Sequence, residues 1–251
     1  MGIQLTAMKS GVGEQQRLLA EYLRREREVD ANLYAPWAAD YALMQSTATR
    51  TAAQMLHRAG VFPGRDAQCM EIGFGNLGWL ADLIRWGIPE RNLHGIEIYE
   101  PRAQRAQAIL PGADLRVGDA TSLPWEQDTF QLVVASTVFT SILDIEMRRK
   151  VAAEISRVLA PGGALLWYDF AVNNPRNQNV RKVDRKELRQ LFSTLQGEIK
   201  SVTLAPPVAR LVAPRSVAAA TCLEAIPWLR THLIAVLAKP AQTGNPTGTR
   251  N

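Results

Sequence analysis

The sequence predicts an α/β fold, a three-layer α/β/α sandwich built on a mostly parallel sheet. Three observations carry that expectation. From about residue 67 to residue 170, short apolar runs alternate with segments of helical spacing, which is the rhythm of βαβ units joined by right-handed crossovers. Phe130-Gln131-Leu132-Val133-Val134-Ala135-Ser136 is nearly continuous in apolar residues, as a strand covered on both faces reads. The first apolar run, Gln68-Cys69-Met70-Glu71-Ile72, breaks into glycines just ahead of a helical pattern.

The elements follow in order. Residues 68–72 read as the first strand and residues 77–86 as the helix after it. Residues 93–98 form a second strand, followed by a helix opened by Pro101 and stopped at Pro111-Gly112, the usual punctuation of a helix start and end. Residues 114–117 and 130–136 are the third and fourth strands. An amphipathic helix over 146–159 ends at Ala160-Pro161-Gly162-Gly163, and residues 164–170 are the fifth strand. Beyond an Asn/Arg-rich loop at 173–183, the pattern predicts a helix over 184–195, strands at 199–204 and 233–237, and a helical segment near 216–225. Two helices precede the sheet, at 14–29 and 38–59. The expected organisation is therefore an N-terminal helical cap or lid over 1–60, an α/β domain over 61–240 and a disordered tail over 241–251.

Composition narrows the function. A chain of 251 residues with 47% hydrophobic residues can bury a sizeable core without covalent staples. Cys69 and Cys222 are too few for a disulfide framework, and with His57, His94 and His232 scattered, no metal site is expected. No signal peptide and no long apolar run is present, so a cytoplasmic protein with no membrane partner is expected. The net charge of +5 raises nucleic acid as a partner. The arginines, however, are interleaved with acids, as in Arg24-Arg25-Glu26-Arg27-Glu28, which favours solvated helix faces, Arg148 and Arg149 included, over a phosphate-binding stripe.

The richest segment is Glu71-Ile72-Gly73-Phe74-Gly75-Asn76-Leu77-Gly78. Glycines at a strand-to-helix turn let the backbone approach a ligand and aim N–H groups at it. Glu97-Ile98 closes the second strand, where a carboxylate accepts from ribose hydroxyls. Nicotinamide and S-adenosylmethionine enzymes share this much. Glu71 favours the second, because a carboxylate there would repel a pyrophosphate but suits a cationic amino acid group. Asp119-Ala120, just after the third strand, offers a second carboxylate to an adenine amino group.

These motifs resemble those of the class I, Rossmann-like S-adenosylmethionine-dependent methyltransferases, over roughly residues 65–170. The resemblance implies a seven-stranded sheet of order 3-2-1-4-5-7-6 with the last strand antiparallel, and S-adenosylmethionine as cofactor. It also implies cofactor-binding roles for Glu71, Gly73, Phe74, Gly75, Gly78, Glu97, Ile98, Asp119, Ala120, Ser136 and Thr137. Phe74 and Asn76-Leu77 depart from the residues the family commonly carries. The later stretches Trp167-Tyr168-Asp169-Phe170, Asn173-Asn174-Pro175 and Thr203-Leu204-Ala205-Pro206-Pro207 resemble a bacterial branch acting on small molecules in biosynthesis. Asn174-Pro175-Arg176 lacks the second proline and aromatic residue of the nucleic-acid amino-methyltransferases, so a small-molecule acceptor is expected.

Topology nominates Tyr168 and Asp169 as catalytic candidates, either as a base or as a packed ring and a loop cap. Phe139, Asn173 and Asn174 are candidates for the acceptor side, and Tyr34, Trp37 and Tyr41 for an aromatic lid. Two other functions stay open at this point. The first is a lyase or cyclase that closes the methionine chain of S-adenosylmethionine into azetidine-2-carboxylate with release of methylthioadenosine. The second is a non-catalytic S-adenosylmethionine-binding protein. The acceptor and the oligomeric state are not encoded in these motifs.

Overall fold

The computed structural model describes residues 2–241 other than residue 176, with side chains from residue 13 onward except residue 31. Apart from Ala241, the expected tail lies outside the described residues. Seven strands form one sheet in the order β3-β2-β1-β4-β5-β7-β6. They are β1 (Cys69–Ile72), β2 (Leu93–Glu97), β3 (Asp114–Val117), β4 (Phe130–Ser136), β5 (Leu159–Phe170), β6 (Gln196–Leu204) and β7 (Arg230–Ala238). The first five run parallel, and β7 is antiparallel to both β5 and β6. The strand order and the antiparallel last strand agree with the sequence expectation.

The helices divide between the two faces. α2 (Ala39–Arg58), α3 (Leu80–Arg85) and α4 (Glu100–Ile109) cover one face through Ala48, Ala52, Met55, Leu56, Leu80, Leu83, Ala103 and Ala106. α5 (Ile145–Val158) and α6 (Arg185–Leu191) cover the other through Met147, Val151, Ile155 and Leu188. Their starts are chemically marked. Asp144 accepts from the N–H groups of Glu146 and Met147, and Asp184 from those of Lys186 and Glu187, each satisfying donors that a helix start leaves open. The alternation of a strand sends Val133 and Ala135 of β4 to the α5 face and Leu132 and Val134 to the α2 face, so its continuous apolar run is buried on both sides.

Several boundaries differ from the sequence expectation. β5 begins at Leu159, not residue 164, because Pro161-Gly162-Gly163 forms an irregularity inside the strand: Phe130 pairs with Leu159 and Leu132 with Ala164. A Cβ on Gly163 would lie 2.9 Å from the Phe130 carbonyl oxygen, so only glycine allows that approach. The glycine-rich turn that starts at Gly73 runs on through residue 79, so α3 begins at Leu80 and not at residue 77. Between β6 and β7 the chain forms α7 (Pro206–Val212), which the pattern did not announce, before α8 (Val217–Glu224).

The N-terminal helices do not form one cap. α2 belongs to the core layer, whereas α1 (Gly2–Glu28) runs outside it and, of its described apolar side chains, adds Leu18 to the α5-side cluster.

One buried group gives the fold a pH signature. His232 of β7 is 1% exposed and stacks on Tyr168 at 4.9 Å. Burial holds its imidazole down at about 3, against about 6.5 in an unfolded chain. Between those values the unfolded chain takes up a proton that the folded chain refuses. The stability is therefore complete above about pH 6.5 and is lost as pH falls towards 3. His232→Phe should flatten the decline of Tm between about pH 6.5 and 4. Parallel declines in the two proteins would contradict this assignment.

Candidate cofactor site

The C-terminal ends of β1, β2 and β3 meet around one cleft, at the point where the strand order reverses and open α/β sheets bind ligands. Its lining includes Gly73, Glu97, Ile98, Gly118, Asp119 and Ala120 from the strand ends, Val138, Ser141 and Ile142 from the loop after β4, and Leu18 and Tyr22 from α1. The space in and immediately in front of the cleft, open solvent included, is about 450 Å³.

The glycine turn is shaped by three left-handed residues, Gly73 (φ 66°), Gly75 (φ 57°) and Gly78 (φ 47°). A Cβ on Gly73 would stand 2.9 Å from Val138 Cγ2 and one on Gly78 would stand 2.3 Å from Glu71 Oε1. The Glu71 carboxylate thus fills the space beneath the turn, where it accepts from the N–H of Leu80 at 2.9 Å. Burial pushes its carboxyl up to about 8, although the N–H groups of Trp79 and Leu80 pull the other way. Glu71 therefore supports the turn and caps α3, and it does not line the cleft to meet a cationic amino group as expected. Phe74 is corrected in the same way. Its ring is 1% exposed and lies under β2, where a Cβ on Gly95 would come within 2.5 Å of it.

Glu97 and Asp119 face the cleft. Glu97 Oε2 accepts from the Gly75 N–H at 2.9 Å and Oε1 from the Tyr99 N–H at 3.0 Å. A carboxylate has about four acceptor sites, so each oxygen retains capacity for a hydroxyl. Asp119 accepts from the Thr121 N–H at 2.9 Å, from Thr121 Oγ1 at 2.6 Å and from the Gln15 side-chain amide of α1.

Of the N-terminal segment expected as a cap or lid, α1 makes the contacts with the cleft, and its residues were not among the candidates. Besides Gln15 on Asp119, Glu14 accepts from the Leu143 N–H at 2.6 Å, and Arg17 donates to the Ser141 carbonyl. Glu21 accepts from Asn179 at 2.8 Å, and Glu26 from the Tyr99 hydroxyl at 2.8 Å. The cover over the cleft is thus α1, with Leu18 and Tyr22. Tyr34, Trp37 and Tyr41 are not in the lining: Tyr34 meets Tyr41 edge-on at 5.7 Å, and Trp37 is 77% exposed.

The remaining candidates are placed as supports. Tyr168 points to the α2 face, where burial pushes its phenol up and its hydroxyl pairs with Thr203 at 2.8 Å. Asp169 is fully buried. It accepts from Thr140 N at 3.0 Å and Oγ1 at 2.5 Å and from Phe170 N at 2.9 Å, with burial raising its carboxyl to about 6. It pins the loop after β4 to the end of β5, and neither residue opens on the cleft as a base. Phe139 packs on Phe192 at 5.8 Å, inside the core. Ser136 and Thr137 also lie outside the lining; Thr137 (φ 55°) turns the chain and donates its N–H to the Tyr168 carbonyl at 2.8 Å. Asn173 accepts from the Lys182 N–H at 2.8 Å and closes the loop after β5, and Asn174 is exposed nearby. Arg148, expected on a solvated face, is fully buried. It pairs with Glu187 at 2.7 Å and donates to the carbonyls of Ile142 and Arg181, tying together the loops after β4 and β5.

Residues 69–163 match a family model described as a methyltransferase domain. This stretch of the chain is similar to a methyltransferase domain. The domain is similar, at 30% identity over 131 residues, to phthiotriol/phenolphthiotriol dimycocerosates methyltransferase 1 of Mycobacterium ulcerans, covering 49% of this chain and 44% of that protein. An uncharacterised protein of Haemophilus influenzae is 28% identical over 110 residues, 41% of this chain and 43% of that one. The chain spans less than half the length of these curated relatives. In fold, the chain is similar to geranyl diphosphate C-methyltransferase of Streptomyces coelicolor, solved with Mg2+, geranyl diphosphate and S-adenosyl-L-homocysteine. That likeness has a TM-score of 0.56 at 14% identity, covering 75% of this chain and 76% of the other.

The cofactor of this family is S-adenosylmethionine, and the cleft fits it. The Glu97 carboxylate suits the ribose diol and the Asp119 carboxylate the adenine amine. Gly75 carries no side chain where a Cβ would meet no protein atom within 4 Å. Glu97→Ala should weaken S-adenosylmethionine binding by at least about 1.5 kcal/mol, the value of hydrogen bonds to a charged group. Unchanged affinity by calorimetry would remove Glu97 from the site.

Proposed function

We propose that this chain transfers the methyl group of S-adenosylmethionine to a small biosynthetic metabolite. The observation that carries the reading is the convergence of Glu97 and Asp119 on one cleft beside the open glycine turn. Two proteins it resembles are named for methyl transfer to phthiotriol/phenolphthiotriol dimycocerosates and to geranyl diphosphate, which supports a small-molecule acceptor.

The cofactor supplies a methyl group on a cationic sulfonium, open to in-line displacement. The chain's own part is placement and exclusion of water. Glu97, Asp119 and the turn at Gly73–Gly75 hold the nucleoside end. Val138, Ser141 and Ile142 form the wall beside it, fixed from behind by Asp169 and Arg148. α1 closes the cleft with Leu18 and Tyr22. A general base is needed only when the acceptor must lose a proton, and Tyr168 and Asp169, both engaged within the protein, do not fill that role.

Purified protein incubated with S-adenosylmethionine alone should leave the cofactor intact. Addition of a low-molecular-weight extract from the source cells should release S-adenosylhomocysteine. Methylthioadenosine as the product, with or without extract, would overturn methyl transfer in favour of a lyase or cyclase. Binding without either product would favour a non-catalytic protein.

A further inference from the structure

Of the polar ties that α1 makes, one lands on a group assigned to the cofactor. Glu14 and Arg17 hold the loop after β4, Glu21 holds Asn179 in the loop after β5, and Glu26 holds Tyr99 just ahead of α4. Gln15 goes to the end of β3, where its side-chain amide donates to Asp119 Oδ2. Helical spacing puts Gln15, Leu18 and Tyr22 on one face, and Leu18 and Tyr22 line the cleft together with Asp119. Gln15 therefore meets the carboxylate from the cleft side.

The Asp119 carboxylate has about four acceptor sites. The Thr121 N–H takes one on Oδ1, while the Thr121 hydroxyl and the Gln15 amide fill both on Oδ2. The Thr121 bonds belong to the turn after β3 and persist with it. The Gln15 bond joins residues 104 apart in sequence and ends on a rotatable side chain, so it is the one that can be given up. A primary amide and the adenine 6-amine are the same kind of donor, a planar neutral nitrogen with two hydrogens. They compete for one oxygen. The docked helix also carries a penalty. Arg17 Nη1 on α1 and Arg102 Nε, whose guanidinium lies 4.8 Å over the Tyr22 ring, are buried without a hydrogen-bond partner among the described residues. Glu26 stands 3.8 Å from Arg102 Nε, beyond hydrogen-bond reach. A buried donor left unpaired opposes the arrangement that buries it, so the loss of a single tie shifts α1 measurably.

We propose that Gln15 is an autoinhibitory latch, which holds on Asp119 the place of the adenine amine and is displaced when the cofactor binds. The proposal rests on the assignment of Asp119 to adenine. It adds that α1 opposes the cofactor through one side chain and closes over it through the others. Glu14, Arg17, Glu21 and Glu26 have their partners elsewhere and keep them when Gln15 lets go. Breaking the Gln15 bond is then a fixed penalty on binding, and the apparent affinity is reduced to the fraction of molecules in which the latch is open. The sign is opposite to that of a side chain that reads adenine, whose removal weakens binding.

The test is titration calorimetry of S-adenosylhomocysteine, which leaves nothing to turn over, into the intact chain and its variants. Gln15→Ala should bind it at least about fivefold more tightly than the wild type, as expected when a latch closed in most molecules is removed. In an Asp119→Ala background the same substitution should change affinity by less than about twofold, since no carboxylate is left to compete for. Hydrogen exchange without any nucleoside gives a second readout: the α1 amides around residue 15 should exchange at least about threefold faster in Gln15→Ala. Weaker or equal binding by Gln15→Ala would overturn the proposal, the first making Gln15 a cofactor contact and the second leaving adenine to the open site on Oδ1. So would a tightening that survives in the Asp119→Ala background, or exchange that Gln15→Ala does not change. Binding by none of the proteins would remove the cofactor site and the latch with it. Binding by the wild type with no gain in Gln15→Ala sinks the latch alone.

Discussion

Gly75→Val should abolish measurable S-adenosylmethionine binding while leaving the sheet folded. Gly75 holds φ at 57°, a conformation that costs an L residue about 1–2 kcal/mol, and valine is among the least tolerant there. The variant should therefore melt a few degrees lower but still cooperatively. Its Cβ would meet no protein atom within 4 Å, so the added bulk acts on whatever approaches the turn. The strain also disturbs the Gly75 N–H that donates to Glu97, the carboxylate assigned to the ribose. Affinity should fall at least about hundredfold, or about 2.7 kcal/mol. Normal binding by Gly75→Val would remove the glycine turn from the site.

Deleting residues 1–29 should separate affinity from turnover. α2 must be kept, since Ala48, Ala52, Met55 and Leu56 are buried against the sheet. α1, by contrast, meets the domain mainly through polar ties to loops, with Leu18 as its described contribution to the core. Cofactor binding should weaken only about tenfold. Leu18 and Tyr22 are lost from the cleft, but the Asp119 oxygen that Gln15 occupies is released to the adenine amine. Turnover should fall at least about hundredfold, because positioning and exclusion of water are lost together. Equal losses in both quantities, or outright unfolding, would make α1 a structural cap.

The sheet was legible because its signals are local and periodic. The apolar run 130–136, Pro101 opening α4 and the glycines after Ile72 each mark an element by backbone chemistry alone. Glu97 and Asp119 were legible because a residue at the end of a parallel strand has a topologically set position. Glu71 and Phe74 were misread because residues adjacent in sequence point to opposite sides at a turn, and only packing under Gly78 and Gly95 decides which. Tyr168 and Asp169 sit at the right strand end but, as neighbours on a strand, face opposite layers. α1 was expected within the N-terminal lid, but its residues went unnominated because the stripe of Glu14, Leu18, Tyr22 and Glu26 that it turns to the domain is half charged. Its partners are loop N–H groups and carbonyls, which leave no apolar signature. Arg148 escaped notice for a related reason: five donors on one guanidinium can be satisfied in the interior by carbonyls and one carboxylate, which no charge pattern records.

Titration calorimetry of S-adenosylmethionine into the intact chain and into Gly75→Val, side by side, tests the central claim most directly. Saturable binding to a single site on the intact chain, with none on the folded variant, is the result that the cleft of Glu97, Asp119 and the glycine turn predicts. No saturable binding to the intact chain, or the same affinity in both proteins, would contradict it.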